Sequence, residues 1–273
     1  MKNKMIVVRG GGDLATGVIH RLVRCRYNVI ILESDKPSAI RRKVAFCEAV
    51  YEGEAVVEGI TAVNVPYTEN GKTEVLLETC STLWEMERIP LVVDPKGSSI
   101  RALQPAAVVD AILAKKNLGT SREMAPLTIG LGPGFTAGVD VDYVVETMRG
   151  HNLARVFEKG SARPNTGVPG LIAGYGKERV IHAPAEGVIH NLSDISDLVK
   201  EGDIIAMIGE EPVYASLTGV LRGIIHDGYR VYKGMKIADI DPRETERENC
   251  FTISDKARCI AGSVVEILMN HGI

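Results

Sequence analysis

No stretch of this 273-residue chain approaches the roughly 18 consecutive apolar residues of a membrane-spanning helix, so no span is expected. The amino end, Met-Lys-Asn-Lys-Met running straight into a strand-like segment, lacks the apolar core and cleavage site of a secretory leader. Basic residues are in slight deficit, 32 Lys and Arg against 35 Asp and Glu, and no basic stripe stands out, which gives nucleic-acid binding no support. Five cysteines (Cys25, Cys47, Cys80, Cys250, Cys259) form no Cys-x-x-Cys pair and are odd in number; a reduced, cytoplasmic protein is the economical reading. The six histidines show no zinc spacing, so no metal site is expected. What remains is a chain long enough for one large or two modest domains.

The first half reads as an α/β domain of Rossmann-like type. Met5-Ile6-Val7-Val8 is a compact apolar strand that runs into Gly10-Gly11-Gly12-Asp13. Apolar residues then recur at Leu14, Ala15, Val18, Ile19, Leu22 and Val23, the stripe of a helix packed on a sheet, with Asp13 placed as its N-cap. A second strand, Val29–Leu32, ends at Glu33. Gly10-x-Gly12-x-x-Ala15 thus follows a strand, opens a helix and precedes an acidic strand end about 20 residues on, the context of a dinucleotide fingerprint. Gly10, Gly11, Gly12 and Asp13 are therefore candidate phosphate-binding residues, since free N–H groups at a helix start favour anions. Glu33 is a candidate partner for ribose hydroxyls.

The alternation continues. A helix is expected over 73–87, a strand over Leu91–Val93 ending in Asp94-Pro95-Lys96, and a helix from Gln104-Pro105 through Lys116. Leu127–Ile129 reads as a strand leading into Gly130-Leu131-Gly132-Pro133-Gly134, and Asp140 as the cap of a helix over 141–149. Such a pattern implies a mostly parallel sheet whose ligands sit at the carboxyl ends of the strands. That edge collects Asp94, Lys96, Gly132 and Gly134 beside the first turn. A boundary is expected near 150–155, giving a Rossmann-like domain over 1–152, a β domain over 153–243 and a closing helical segment, 244–273, that packs on the α/β domain.

Residues 181–208 and 213–240 are one segment written twice. An offset of 32 superposes Ile181 on Val213, Ala183 on Ala215, Gly187 on Gly219 and Val188 on Val220; it also aligns Val199 with Val231, Gly202 with Gly234, and Ile205, Ala206 and Ile208 with Ile237, Ala238 and Ile240. Nine apolar or glycine matches without a gap mark a duplicated unit, and the short strands broken by Gly turns mark it as antiparallel β. Two such halves interlocked about a dyad resemble the biotinyl/lipoyl barrel-sandwich hybrid. The hairpin between the halves, Gly209-Glu210-Glu211-Pro212, has no lysine, so neither biotin nor lipoate is expected.

Val8–Gly17 together with Glu33–Arg42 resembles the start of the maturation proteins of selenium-dependent molybdenum hydroxylases, and Gly130–Phe135 and Gly160–Gly170 fit the same family. The first half is also similar to the nucleotide-binding domain of the XdhC/CoxI-type factors that mature xanthine dehydrogenases. The resemblance implies an accessory protein that handles molybdenum cofactor, with a molybdenum hydroxylase or its maturation machinery as partner and no membrane or nucleic-acid partner. A homo-oligomer is compatible with it. The ligand it implies is a nucleotide or dinucleotide, NAD-like or a molybdopterin dinucleotide, because either carries a pyrophosphate for the glycine turn. It assigns no catalytic residue.

Cys47 follows Arg41-Arg42-Lys43, and a cationic neighbourhood lowers a thiol's pKa in the way sulfur or selenium transfer would require. A buried small hydrophobe is the plainer reading. Arg41 and Arg42 are candidate phosphate clamps or simply a solvated face, and Arg163, Asn165 and Thr166 offer donors in a loop able to close over the turn. The competing functions are an NAD(P)-dependent oxidoreductase, which needs an acid–base pair that this first half lacks, and a non-catalytic nucleotide sensor or docking protein.

Overall fold

The computed structural model describes residues 4–67, 73–168 and 170–273; the first three residues of the amino end and Pro169 of the 160–170 loop lie outside them. The chain divides into two compact units, one made of Met1–Pro37, Ala45–Asn165 and Ile253–Ile273, the other of Ser38–Val44 and Thr166–Thr252.

In the first unit β1 (Met5–Arg9), β2 (Asn28–Glu33), β3 (Glu54–Val57), β4 (Ile60–Val65), β5 (Arg88–Val93), β6 (Ala107–Asp110), β7 (Thr128–Leu131), β8 (Tyr143–Val145) and β9 (Val156–Phe157) form a nine-stranded sheet in the order β3-β4-β5-β2-β1-β6-β7-β8-β9. Neighbours are parallel except at the two edges, where β3 and β9 run against β4 and β8. The helices are α1 (Asp13–Arg24), the short α2 (Ala49–Glu52), α3 (Thr73–Glu85), the short α4 (Ile100–Leu103) and α5 (Asp255–Asn270). The central strands read as continuous apolar runs because both faces are covered. Val7, Ile30, Leu32, Val92 and Val108 pack on Leu76 and Cys80 of α3 and on Ile100 and Leu103 of α4. By the two-residue period, Ile6, Val8 and Ile31 face the other way. On that side α1 lies against β2 and α5, and α5 against β8. A methyl placed on Gly17 would come within 2.6 Å of the Ala257 Cβ, so the two helices touch near their starts. Just past their ends the Tyr27 hydroxyl donates to the Ile273 carbonyl, so they run side by side in the same direction.

Two expected helices are strands. Gln104 adopts a left-handed conformation (φ 48°) that ends α4, Pro105 cannot extend it, and the run Ala107-Val108-Val109, with its two β-branched valines, becomes β6. Asp140 does not cap a helix over 141–149; its carboxylate accepts from the Thr136 N–H, and Tyr143-Val144-Val145 pairs with β7. Only a 3₁₀ turn, Arg122–Met124, and no α-helix therefore lies between β6 and β8 in the chain, and the cover for β8 comes from α5 at the far end of the sequence.

The second unit is the duplicated segment: β10 (Val180–His182), β11 (Gly187–Asn191), β12 (Leu198–Val199) and β13 (Ile204–Ile208), then β14 (Glu211–Tyr214), β15 (Gly219–Ile224), β16 (Arg230–Val231) and β17 (Lys236–Asp241). They form two antiparallel four-stranded sheets, β10-β17-β15-β12 and β14-β13-β11-β16. Exchanging each strand for its twin converts one order into the other, so each sheet takes two strands from each half. Between them lies one core that holds both members of each twin pair: Val199 and Val231, Ile205 and Ile237, Ala206 and Ala238, Ile208 and Ile240. Each fully buried Val, Leu or Ile contributes about 1.5–3 kcal/mol.

The symmetry stops at the outer faces. A 3₁₀ segment, Glu244–Phe251, lies against β15 and sends Cys250 into the core, and a Cβ on Gly223 would stand 2.7 Å from the Ile40 carbonyl oxygen. Among the described residues the twin strand β11 has no such cover: Val188 is 38% exposed where Val220 is fully buried, and Leu192, Ile204 and Tyr214 are exposed nearby.

Candidate functional site

The chain leaves β1 toward β2 on one side and returns through β6 on the other, so the carboxyl end of β1 is the switch point where doubly wound sheets open a crevice. The three glycines there have different surroundings. Gly10 turns at φ 97°, donates its N–H to the Leu32 carbonyl (2.7 Å), and has no room for a Cβ, which would sit 2.8 Å from the Ala111 oxygen. Gly11 accepts from the Cys47 N–H (2.9 Å) and the Thr16 hydroxyl (3.2 Å), and a Cβ there would press on Cys47. Gly12 is the N-cap of α1 in an ordinary conformation (φ −65°), and a Cβ built on it meets nothing within 4 Å. Asp13 is thus the first helical residue and not the cap.

Glu33 reaches back to this turn. One carboxylate oxygen accepts the Gly11 N–H and the other the Ser34 N–H, each at 2.7 Å. Burial pushes its pKa above the usual glutamate range, with the two N–H bonds opposing the shift. The Ser34 side chain also bonds this carboxylate, which leaves one of its roughly four acceptor positions for a further donor such as a ribose hydroxyl. Thr16 went unnoticed in the sequence; its hydroxyl accepts from the Phe46 N–H and so ties the glycine turn to the segment carrying Cys47.

The cationic reading of Cys47 is overturned. The thiol is 1% exposed, and burial, followed by the carboxylates of Glu33, Glu48 and Asp13, drives its pKa well above the usual range. The basic run does not serve it: Arg41 donates to the Asn249 and Thr252 carbonyls, Arg42 to the Ile224 carbonyl and Asp194, and Lys43 pairs with Asp194. Cys47 is a packing residue beneath Gly11.

The other candidates at this edge have local tasks. Asp94 accepts the Ser98 and Ser99 N–H groups and the Ser99 hydroxyl, closing the turn into α4, while Lys96 is exposed beside it. Gly132 stands under Thr147 and Gly134 against the Lys116 backbone, so neither leaves space for a ligand in the way Gly12 does. In the 160–170 loop the Arg163 N–H donates to Glu146, and the Thr166 hydroxyl accepts from Val168.

Two clusters escaped the sequence reading. At the switch point the buried guanidinium of Arg9 donates to the Thr120 hydroxyl and the Pro95 carbonyl and pairs with Asp110 at 3.7 Å; burial raises the Asp110 pKa against that pairing. A charged residue closing an apolar strand was the available signal. The second surrounds Lys256, the second residue of α5. Burial lowers its pKa, and Asp13, Arg149, Glu146 and Asp255 act on it electrostatically. Arg149 is held by Asp255 through two bonds (2.6 and 2.8 Å), and Glu146 accepts from Met148 and Arg163. No local pattern announces a lysine more than 240 residues from the turn it approaches. A separate cavity of about 520 Å³, lined by Arg24, Tyr27, Trp84 and Arg88, opens at the opposite, amino-terminal edge of the sheet. The carboxyl-terminal end of α1 lies there, with Arg24 in its last turn. Among the described residues no group of three or more His, Cys, Asp or Glu is placed to hold a metal, and no helix is long and apolar enough to cross a membrane.

No family model matches the sequence. Over 267 residues, 98% of its length, the chain is 49% identical to the uncharacterized protein YqeB of Escherichia coli (strain K12), and it spans 48% of that protein. Among solved structures it aligns with the ectoine utilization protein EutE (DoeB) from Ruegeria pomeroyi, covering 87% of this chain and 85% of that one at 11% identity and a TM-score of 0.26. It also aligns with a succinylglutamate desuccinylase/aspartoacylase from Rhodobacter sphaeroides, covering 88% and 86% at 12% identity and a TM-score of 0.27. Similarity that low carries no statement about a shared fold or activity. The chain is a close homologue of YqeB, spanning about half that protein's length.

Proposed function

We propose that this protein is an accessory protein in the maturation of molybdenum hydroxylases, of the selenium-dependent kind, and that it holds a nucleotide or dinucleotide by its phosphates at the Gly10–Gly12 turn. The observation that carries the ligand is the contrast within the turn: Gly10 and Gly11 are closed in by backbone, while Gly12 faces open space at the start of a twelve-residue helix. Unpaired N–H groups of a first turn, aligned with the positive end of the helix, suit a pyrophosphate. Glu33 steadies Gly11 and keeps acceptor capacity for a ribose. A molybdopterin dinucleotide and NAD both present that pyrophosphate and ribose, and the resemblance of Val8–Gly17 and Glu33–Arg42 to the maturation proteins favours the former.

Deletion of the gene tests the biological half. Molybdenum hydroxylase activity is expected to fall in the deletion strain while the hydroxylase polypeptide stays at its normal level. A fully loaded and fully active hydroxylase in that strain would refute the maturation role.

A further inference from the structure

We propose that the cavity of about 520 Å³ at the amino-terminal edge of the sheet binds an amphipathic organic anion, a small molecule with one carboxylate and an apolar body. The site is independent of the glycine turn, which lies at the opposite edge. Cavities that take small organic ligands span about 300–1,000 Å³ and combine an apolar lining with a few placed polar groups. Here the apolar part is Val29, Ile60 and Ile89, all buried, with the rings of Tyr27 and Trp84. The indole N–H donates to the Val29 carbonyl (2.9 Å) and the Tyr27 hydroxyl to the Ile273 carbonyl (2.8 Å), so both aromatic donors are spent on the backbone. What these two side chains offer a ligand is ring surface.

The charge stands at the mouth. Three guanidiniums line the cavity, those of Arg24, Arg26 and Arg88, against one carboxylate, that of Glu87. Arg24 is exposed and, among the described residues, makes no hydrogen bond or ion pair. Arg26 pairs with Glu87 at 3.6 Å, each 83% exposed, and Arg88 pairs with Glu54 at 3.4 Å. Exposed pairs are held weakly, so an incoming carboxylate competes for both arginines at little cost. A guanidinium can then take it through two parallel bonds. Arg26 and Glu87 are also the left-handed residues that follow α1 and α3 (φ 68° and 57°), where glycine is the usual occupant. The mouth thus carries long charged side chains at two positions whose backbone favours none. Helix carboxyl ends by themselves attract cations. Here the N–H groups of Arg26, Tyr27, Met86 and Glu87 already bond carbonyls in the last turns of the two helices, and the excess of guanidiniums sets the sign.

Trp84 is the only tryptophan of the chain, so its fluorescence reads this cavity with no other indole contributing. The test is a titration of the full chain with sodium octanoate at low salt, with octanol and octylammonium as neutral and cationic probes of the same length. Octanoate should shift the Trp84 emission saturably, bind about tenfold or more tighter than either control, as a charge-assisted bond allows, and weaken as salt is added. Arg24→Gln combined with Arg88→Gln should weaken octanoate about tenfold to a hundredfold. Both side chains reach solvent, so the melt of that variant should stay near wild type. Arg21→Gln removes an exposed arginine of α1 that does not line the cavity and should bind octanoate as wild type does. The assignment is wrong if octanoate gives no saturable change at millimolar concentration, or if octanol or octylammonium binds as tightly. It is equally wrong if the double variant binds octanoate like wild type, or if Arg21→Gln weakens it as much as the double variant does.

Discussion

Gly10 and Gly12 stand two residues apart in one turn, and the same kind of change at each should have opposite consequences. Gly10→Ala forces a side chain into a left-handed backbone (φ 97°) and puts its Cβ 2.8 Å from a backbone oxygen that cannot swing aside. The conformation alone costs about 1–2 kcal/mol, and displacing β6's exit adds about 1–3 kcal/mol, as overpacking does. A domain of this size loses about 2–4 °C of melting temperature per kcal/mol, so the midpoint should fall by about 4–20 °C. At Gly12 an added Cβ meets no neighbour within 4 Å, so Gly12→Val starts from open space. It costs only the poorer capping preference of valine, about 1 kcal/mol, partly offset by reduced freedom in the unfolded chain. Its melt should move by no more than about 4 °C, yet its isopropyl group fills the space assigned to phosphate and should abolish binding. Scanning calorimetry of both apo-proteins, followed by titration with NAD, CTP, FAD and a molybdopterin dinucleotide, measures both halves. Ligand binding by Gly12→Val equal to wild type, or a melt as low as that of Gly10→Ala, would show that the turn is structural only.

Two further outcomes follow from the buried ionisable groups. Iodoacetamide at about pH 8 should modify the exposed Cys25 and Cys259 in the native protein and reach Cys47 only after unfolding, since burial and three carboxylates keep that thiol protonated; rapid native labelling of Cys47 on peptide mapping would contradict this. At Asp241 burial alone would raise the pKa, but bonds from Arg243 and Arg222 outweigh it and hold the carboxyl below the aspartate range. A depressed folded-state pKa stabilises the fold above the unfolded value of about 3.9 and loses that contribution as pH falls through the folded one. Asp241→Asn should therefore lose about 1–3 kcal/mol in urea melts at pH 7, with the gap to wild type narrowing below about pH 4; a constant gap across that range would refute the assignment.

The parts of the fold legible in the sequence are those where one local pattern had one interpretation. β1, the glycine turn and α1 were readable because an apolar run, turn glycines and a 3.6-residue stripe succeed one another without ambiguity. The repeat was readable because its twins keep the same core positions. Residues 104–116 and 141–149 were misread because short runs of Ala, Val and Tyr fit a buried strand as well as a helix, and pairing with β1, β7 and β9 decided the matter. Within the candidate site, the sequence pointed to Gly12 and Glu33 but not to Glu33's bond to Gly11, because a strand end does not say which way its side chain points. Arg9, Thr16 and Lys256 act across 111, 30 and roughly 240 residues of sequence, and Cys47's supposed cations are drawn off by Asp194 and by carbonyls far along the chain.

The uneven cover of the two half-barrels bears on how the duplicated copies are free to change. Strand β15 is enclosed on both faces, and its Gly223 abuts the Ile40 carbonyl, whereas the twin position in β11 is Asn191, donating to the Ile225 carbonyl. Recombination between the copies is therefore not reciprocal. Writing β11's residues into β15 would drive an asparagine into a backbone carbonyl, while writing β15's residues into β11 would meet no such clash and would lose the bond from Asn191 to the Ile225 carbonyl.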